Sequence, residues 1–289
     1  RHADFLSALA DIMVDLTVTM CWRKIKTRHR DDPKFAVLAY GKLGGKELGY
    51  ASDLDMVFVH DDDAPESAEV YTRLGQRTNT WLSAQTPAGH LFETDLRLRP
   101  NGDSGLMVVS LESFRQYQLE NAWVWEHQAL TRARFCAGDK AIGAKFEAIR
   151  IEVLRQKRDL AKLREEVLAM RERMADGHPN KTNLFDLKHD KGGLVDVEFM
   201  VQYLVLGHAH EHPGLCGNLG NIALLHMAGE LGLIPTEQAS TVADTYREYR
   251  RLQHGLRLNN QASRVDREQV AEAAAGVQAL WQTVFGTAR

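Results

Sequence analysis

The chain reads as an α+β protein, a small mixed sheet with helices over residues 1–136, followed by an all-α helical bundle over residues 137–289. Three observations predict this. Two short apolar runs, Phe35–Tyr40 and Met56–Val59, read as buried strands on either side of a glycine-rich loop. Leu91 to Pro100 alternates cleanly, with Glu93, Asp95, Arg97 and Arg99 on one face and Phe92, Thr94, Leu96 and Leu98 on the other. From about Ala137 the composition turns to Glu, Lys, Arg, Leu and Ala at helical spacing, with no strand signal.

In order, residues 4–29 read as a helix whose apolar stripe is Phe5, Leu6, Leu9, Ile12, Met13, Leu16 and Met20. Its basic end (Arg23, Lys24, Lys26, Arg28, Arg30) suits the negative end of the helix dipole, and Asp31-Asp32-Pro33 stops it. After the two strands and their loop, residues 67–83 form a helix with Val70, Leu74, Thr78, Trp81 and Leu82 on one face. Thr86-Pro87-Ala88-Gly89 is a turn before the alternating strand. Ser110 caps a helix to about Leu119, and a further helical run carries Trp123, Trp125, Ala129, Leu130, Ala133 and Phe135 as core. Residues 139–176 are one long helix or two, broken near Gln156–Asp159, and Gly177-His178-Pro179-Asn180 ends them. Helices follow over Leu194–His210, Asn218–Leu231, Thr236 to about Asn260, and Asp266 to the end, with Gly232 as a stop and Thr236 as a cap.

The chemistry gathers at Gly41-Lys42-Leu43-Gly44-Gly45-Lys46 and the following Ser52-Asp53-Leu54-Asp55. Strand side chains alternate faces, so Asp53 and Asp55 point the same way, with Cβ atoms roughly 7 Å apart. Two such carboxylates at the edge of a buried strand call for a positive neutraliser. Mg²⁺ fits, because it takes a few carboxylates together with substrate phosphate oxygens. The glycines upstream let backbone N–H groups approach a phosphate. Asp95 then reads as a third metal carboxylate, with Arg97 and Arg99 beside it as a clamp for phosphate oxygens; the alternative is an intra-strand ion-pair ladder on a solvent face. Asp196 and Glu198 begin a helix after Gly192-Gly193, where the dipole favours acids; either they serve only that, or they reach the metal or nucleotide. Lys188, just upstream, is a candidate to support the site from behind.

Hydrophobic content of 44% and charged content of 26% are those of an ordinary globular protein. A net charge of −3 leaves no electrostatic footprint for nucleic acid, so no such partner is expected. The longest uninterrupted apolar runs fall short of a membrane span, so no membrane partner is expected. The opening Arg1-His2-Ala3-Asp4 has no apolar signal region, and the missing initiator Met suggests a fragment of something longer. Cys21, Cys136 and Cys216 lie far apart without metal or disulfide spacing, which fits a reducing cytoplasm.

Four blocks in order carry a family resemblance. They are Gly41-Lys42-Leu43-Gly44-Gly45 with Ser52-Asp53-Leu54-Asp55, then Glu93 to Pro100, Trp125-Glu126-His127-Gln128-Ala129-Leu130, and Gly192 to Phe199. Together they resemble the glutamine synthetase adenylyltransferase/adenylyl-removing enzymes, a branch of the polymerase-β-like nucleotidyltransferases. Members of that family carry two homologous halves, one that removes AMP from glutamine synthetase by phosphorolysis and one that adds it. Ala51-Ser52-Asp53-Leu54-Asp55, Asn121 to His127 and Asp196-Val197-Glu198-Phe199 look like the C-terminal, adenylylating half. Where the wider superfamily has Gly-Ser in the loop, this chain has Gly44-Gly45, as this branch does.

The resemblance implies a polymerase-β-like domain in which a tyrosine hydroxyl of glutamine synthetase attacks the α-phosphate of ATP and pyrophosphate leaves. Asp53 and Asp55 would hold two Mg²⁺ ions, and Asp95 the one that activates the tyrosine. The backbone of Gly44-Gly45 and the Ser52 hydroxyl would cradle the outgoing pyrophosphate, with Lys42, Lys46, Arg97 and Arg99 as candidates for its charge. A PII signal protein and glutamine are the implied effectors. The alternatives are the adenylyl-removing half and a regulatory module that senses glutamine or PII.

Overall fold

The computed structural model describes residues 2–49, 52–87 and 89–289. Tyr50 and Ala51 of the predicted loop, and Ala88 of the predicted turn, lie outside the described residues. The chain forms two compact units that divide between Val153 and Leu154.

The first unit holds α1 (His2–Lys24), β1 (Phe35–Tyr40), α2 (Gly41–Gly44), β2 (Leu54–His60), α3 (Ser67–Leu82), β3 (Gln85–Thr86), β4 (Gly89–His90), β5 (Thr94–Asp95), β6 (Val108–Ser110), α4 (Leu111–Glu120), α5 (Val124–Leu130), β7 (Arg134–Gly138) and α6 (Lys140–Leu154). The principal sheet runs β5-β2-β1-β7, and β6 also pairs with β2. β1 is antiparallel to β2 and β7, whereas β5 and β6 run parallel to β2, so the sheet is mixed. Every residue of β1 is buried, and Val37 and Phe58 pack with Val14, Val18, Trp22, Tyr71 and Leu74 into one core. Trp22 stacks on Tyr71 with ring centroids 5.5 Å apart. The Ser110 cap is as expected: its hydroxyl accepts from the Ser113 N–H.

Three local expectations change here. The residues of α1 that enter the core are Ala10, Val14, Val18, Cys21 and Trp22, while Phe5, Leu9, Ile12, Leu16 and Met20 are exposed. The helix is apolar on two faces, and the smaller residues make the inner one; periodicity alone does not say which face meets the sheet. By length and composition α1 is apolar enough to cross a membrane, although its inner face is packed. Trp81 and Trp123, expected in the core, are exposed, and Lys24 Nζ lies 4.8 Å from the Trp81 ring. The predicted helix through Phe135 stops at Leu130, and Arg134–Gly138 becomes β7 against β1. The expected domain boundary after residue 136 therefore falls inside a strand of the sheet. The first unit keeps that strand and α6 up to Val153.

The second unit contains α7 (Leu160–Asp176), β8 (Phe185–Asp186), α8 (Leu194–His208), α9 (Asn221–Glu230), α10 (Thr236–Leu258), β9 (Arg264–Val265) and α11 (Arg267–Phe285). The break before α7 falls near Asp159, whose carboxylate accepts from the Ala161 and Lys162 N–H groups. The unit is mostly helical, but β8 and β9 pair antiparallel, Phe185 opposite Val265. Pro235 rather than Thr236 is the N-cap of α10. α8 is apolar almost all round, which is why it sits in the middle of the unit.

Candidate functional site

β2 is the platform of the site. Asp53 is exposed just before it, and Asp55 is its second residue, half-buried. Parallel pairing with β5 places Asp55 directly opposite Asp95. Neighbouring strands are about 4.8 Å apart, so residues in register put their carboxylates on one face of the sheet. Asp53, Asn79, Thr94, Asp95, Arg97 and Asp103 are among the residues that line one cavity of about 430 Å³. The structure thus brings the predicted acids Asp53, Asp55 and Asp95 to one end of the β2–β5 pair.

Arg97 takes the second of the two readings, an ion pair with Asp95. The strand expected over Leu91–Pro100 is only Thr94–Asp95, and the chain then turns. A turn, not an alternating face, positions Arg97. Its N–H donates to Asp95 Oδ1 at 2.9 Å, and its Nη2 to Asp95 Oδ2 at 2.7 Å. The Arg97 hydrogen bond holds the Asp95 carboxyl below the usual carboxylate range, against a weaker upward push from burial. Arg99, expected as a phosphate clamp, donates to the Leu96 carbonyl at 2.8 Å and lies 3.7 Å from Asp103. Its side chain is 13% exposed and pins its own loop, while it also lines the cavity that Asp53 and Asp95 share.

The glycine loop is also built differently from expectation. Gly41 to Gly44 form the single turn α2, and the Gly45 N–H donates back to the Gly41 carbonyl at 2.9 Å. The Lys46 and Glu47 N–H groups donate to Leu43 and Lys42 carbonyls. The loop therefore spends these donors on itself. The missing side chains serve close packing inside the protein. A β-carbon on Gly44 would meet the Arg132 carbonyl at 2.2 Å, and one on Gly45 the Arg132 guanidinium at 2.5 Å. Gly41, at φ +55°, lies against the Asp55 carboxylate, where a β-carbon would meet Oδ2. Ser52 Oγ accepts from the Gly49 N–H at 2.9 Å, closing the loop before β2. Lys42 is half-buried on α2, and Lys46 is exposed with φ +56°.

Two arginines that sequence patterns did not single out hold this loop. Arg132 Nη2 is 2.7 Å from Glu47 Oε2, and Arg134 donates from Nη2 to the Leu43 carbonyl at 2.9 Å. Their spacing across the start of β7 was legible only as a strand-like pair, and that strand was read as helix. Buried Arg150 steadies the approach to them by donating to the carbonyls of Leu130 at 2.9 Å and Thr131 at 2.6 Å.

Two of the resemblance blocks prove to be structural inside. Glu126 is buried and accepts from the Tyr117 hydroxyl and the Trp123 N–H, each at 2.8 Å; burial pushes its carboxyl up. Asp196 is fully buried in the second unit, where it takes Arg171 Nε at 2.6 Å, Arg289 Nε at 2.8 Å and the Gly192 N–H at 2.8 Å. Both its oxygens are committed, so the reading in which it reaches metal or nucleotide is set aside in favour of a buried ion pair. Glu198 is half-buried on α8, and the Lys188 N–H donates to Asp186 Oδ1 in the loop before that helix.

A small mixed sheet that gathers aspartates beside a glycine turn is consistent with a nucleotidyltransferase-like domain. Residues 2–149 match the family described as glutamate-ammonia ligase adenylyltransferase, and the chain belongs to that family. Residues 161–281 match the family described as GlnD PII-uridylyltransferase. Over 288 residues the chain is 70% identical to the bifunctional glutamine synthetase adenylyltransferase/adenylyl-removing enzyme of Aromatoleum aromaticum, covering 100% of this chain and 31% of that protein. It is 53% identical to the protein of the same name in Nitrosomonas europaea, over 99% of this chain and 32% of that one. The Burkholderia mallei relative is 56% identical over 98% of this chain and 32% of its own length. The chain thus spans about a third of the length of these curated relatives.

Proposed function

We propose that this chain transfers AMP from ATP to a tyrosine hydroxyl of glutamine synthetase, releasing pyrophosphate. The observation that carries the reading is the register of Asp55 against Asp95, with Asp53 lining the same cavity as Asp95, in a chain of this family. The bifunctional names of the relatives cover both addition and removal of AMP. What favours addition is the sequence of three blocks, Ser52-Asp53-Leu54-Asp55, Asn121 to His127 and Asp196 to Phe199.

In this reading Asp53, Asp55 and Asp95 gather at the reacting phosphate. Carboxylate oxygens are the donor type that Mg²⁺ prefers. Among the described residues, however, no group of three or more His, Cys, Asp or Glu side chains converges to hold a metal ion, and Arg97 already neutralises Asp95. The fit is therefore one of donor chemistry: Asp53, Asp55 and Asp95 would hold Mg²⁺ once Arg97 turns outward, and its side chain is 72% exposed and free to do so. When bound, Mg²⁺ would supply positive charge to the phosphate oxygens and the tyrosine oxygen. Arg97, released from Asp95, would stay beside the cavity as a partner for the triphosphate. Lys42, Lys46 and Ser52 border the same end of the sheet and are candidates for the pyrophosphate. Gly44 and Gly45 shape the loop by close packing. Glutamine and a PII protein enter this reading as effectors through the family alone.

The test mixes this chain with unmodified glutamine synthetase, Mg²⁺ and α-labelled ATP. A parallel arm offers adenylylated glutamine synthetase with inorganic phosphate. Label transfer in the first arm is the expected result. ADP release in the second arm alone would assign the chain to removal, and silence in both would overturn the proposal.

A further inference from the structure

α2 is a single turn, and the carbonyls at its C-terminal end have few helical partners of their own. Lys46 N–H reaches the Leu43 carbonyl at 3.2 Å. The rest of the satisfaction comes from a distant residue. Arg134 Nε donates to both the Leu43 and Gly44 carbonyls at 3.2 Å, and Nη2 donates to Leu43 at 2.9 Å. The guanidinium is gripped from its other side by Asp11 of α1, Nη1 to Oδ2 at 2.7 Å and Nη2 to Oδ1 at 3.0 Å. Cys136 Sγ also donates to Asp11 Oδ1 at 3.1 Å. Four residues further along α1, Asp15 accepts from the Gly138 N–H at 2.9 Å.

The planar fork matters here. A guanidinium can bind a carboxylate along one edge and point its remaining N–H groups at carbonyls, with its orientation set by the carboxylate. The side chains are 15% and 26% exposed, so water competes weakly for the pair. β7 pairs with β1, Arg134 opposite Ala39, and β1 runs directly into α2. Arg134 therefore fixes the strand and the turn that follows it as one piece. The other end of that turn, Gly41, lies against the Asp55 carboxylate. Asp11 does not line the cavity that Asp53 and Asp95 share, yet it reaches Asp55 in three contacts, through Arg134 and the two ends of α2.

We infer that Asp11 and Arg134 are positioning residues, a buttress that sets α2 against Asp55 and so holds the reacting end of the sheet in register. This rests on the proposed nucleotidyl transfer at that end. Its structural half can be read without any turnover.

The test compares Arg134→Lys and Asp11→Asn with the unaltered chain. Lysine keeps the charge but loses the fork; asparagine keeps the shape but loses the charge. Amide hydrogen exchange at residues 43–47 should quicken about tenfold or more in both variants, with β1 amides near their original rates. In the labelled-ATP assay, kcat should fall about tenfold to a hundredfold, since a misplacement of about 1 Å at a reacting group has that size of effect. The KM for ATP should stay within about threefold, because Arg134 and Asp11 touch no substrate. Asp11→Glu, which keeps a carboxylate, should recover part of the kcat. Unchanged exchange in residues 43–47 would overturn the buttress, whatever the activity. Quickened exchange with unchanged kcat would overturn its link to the reaction. If the unaltered chain transfers no label, the proposed function fails, and the exchange result still decides whether the buttress exists.

Discussion

Gly44→Ala probes the glycine turn most directly. The added β-carbon would lie 2.2 Å from the Arg132 carbonyl oxygen and 2.6 Å from the Ala39 carbonyl oxygen. Both are backbone atoms, one in the turn before β7 and one in β1, so neither can rotate away. Relief requires about 1 Å of backbone movement, which puts the cost at the upper end of overpacking, about 3 kcal/mol. For a unit of this size, that lowers the midpoint of thermal unfolding by about 6–12 °C. Gly45→Ala is the control. Its β-carbon would meet the guanidinium of Arg132 at 2.5 Å, and a side-chain end can swing aside. The loss is then confined to the ion pair between Arg132 and Glu47, at 2.7 Å, and should cost less than a movement of backbone. Scanning calorimetry that resolves the two units is the assay. A Gly44→Ala protein melting within about 1 °C of the original, or melting above Gly45→Ala, would refute the packing account of these glycines.

Asp55→Asn should reduce AMP transfer at least about a hundredfold and leave far-ultraviolet circular dichroism unchanged; near-normal transfer removes Asp55 from the reacting site. Arg171→Met leaves Asp196, which is fully buried, with one charged partner instead of two, and should destabilise the second unit by about 3–5 kcal/mol in urea unfolding. An effect below about 1 kcal/mol would mean the pair is dispensable. His189 stacks on His178 at 3.9 Å; burial first, then His178 and Lys188, bring its pKa down from 6.5 to about 4. A base with a lowered folded pKa binds its proton more readily in the unfolded chain, so its contribution is full above about pH 6.5 and fades as the pH falls towards 4. His189→Gln should flatten that acid limb, and an NMR titration of His189 centred near 6.5 would contradict the assignment.

Much of the fold was legible because its signals are local. β1 and β2 are short apolar runs, Ser110 caps α4 through its own hydroxyl, and the break before α7 is marked by Asp159. The closeness of Asp53 to Asp55 was legible for the same reason, since two residues two positions apart need no other part of the chain to bring them near, although only Asp55 lies on β2. Asp95 was singled out by an alternation that the structure replaces with a two-residue strand and a turn, and that strand places it opposite Asp55. The blocks around Trp125 and Asp196 were legible as family marks, and the sequence left open what their acids do. Their acids are buried, Glu126 against Tyr117 and Asp196 against Arg171. A sequence shows that a carboxylate is present, not whether a cation has already claimed it.

The amino-acid order shows most of the elements, the glycines and aspartates that are present, and the family to which they belong. Which face of α1 turns inward, which acids stand open and which arginines act on the loop are set by residues far apart along the chain. Arg134 meets Leu43 across 91 positions and Asp11 across 123. Such contacts follow from the placing of β7 beside β1, and that pairing is a property of the assembled sheet. No window of neighbouring residues contains it, because a buried guanidinium takes its partners from whatever carbonyls and carboxylates the packed backbone brings within reach.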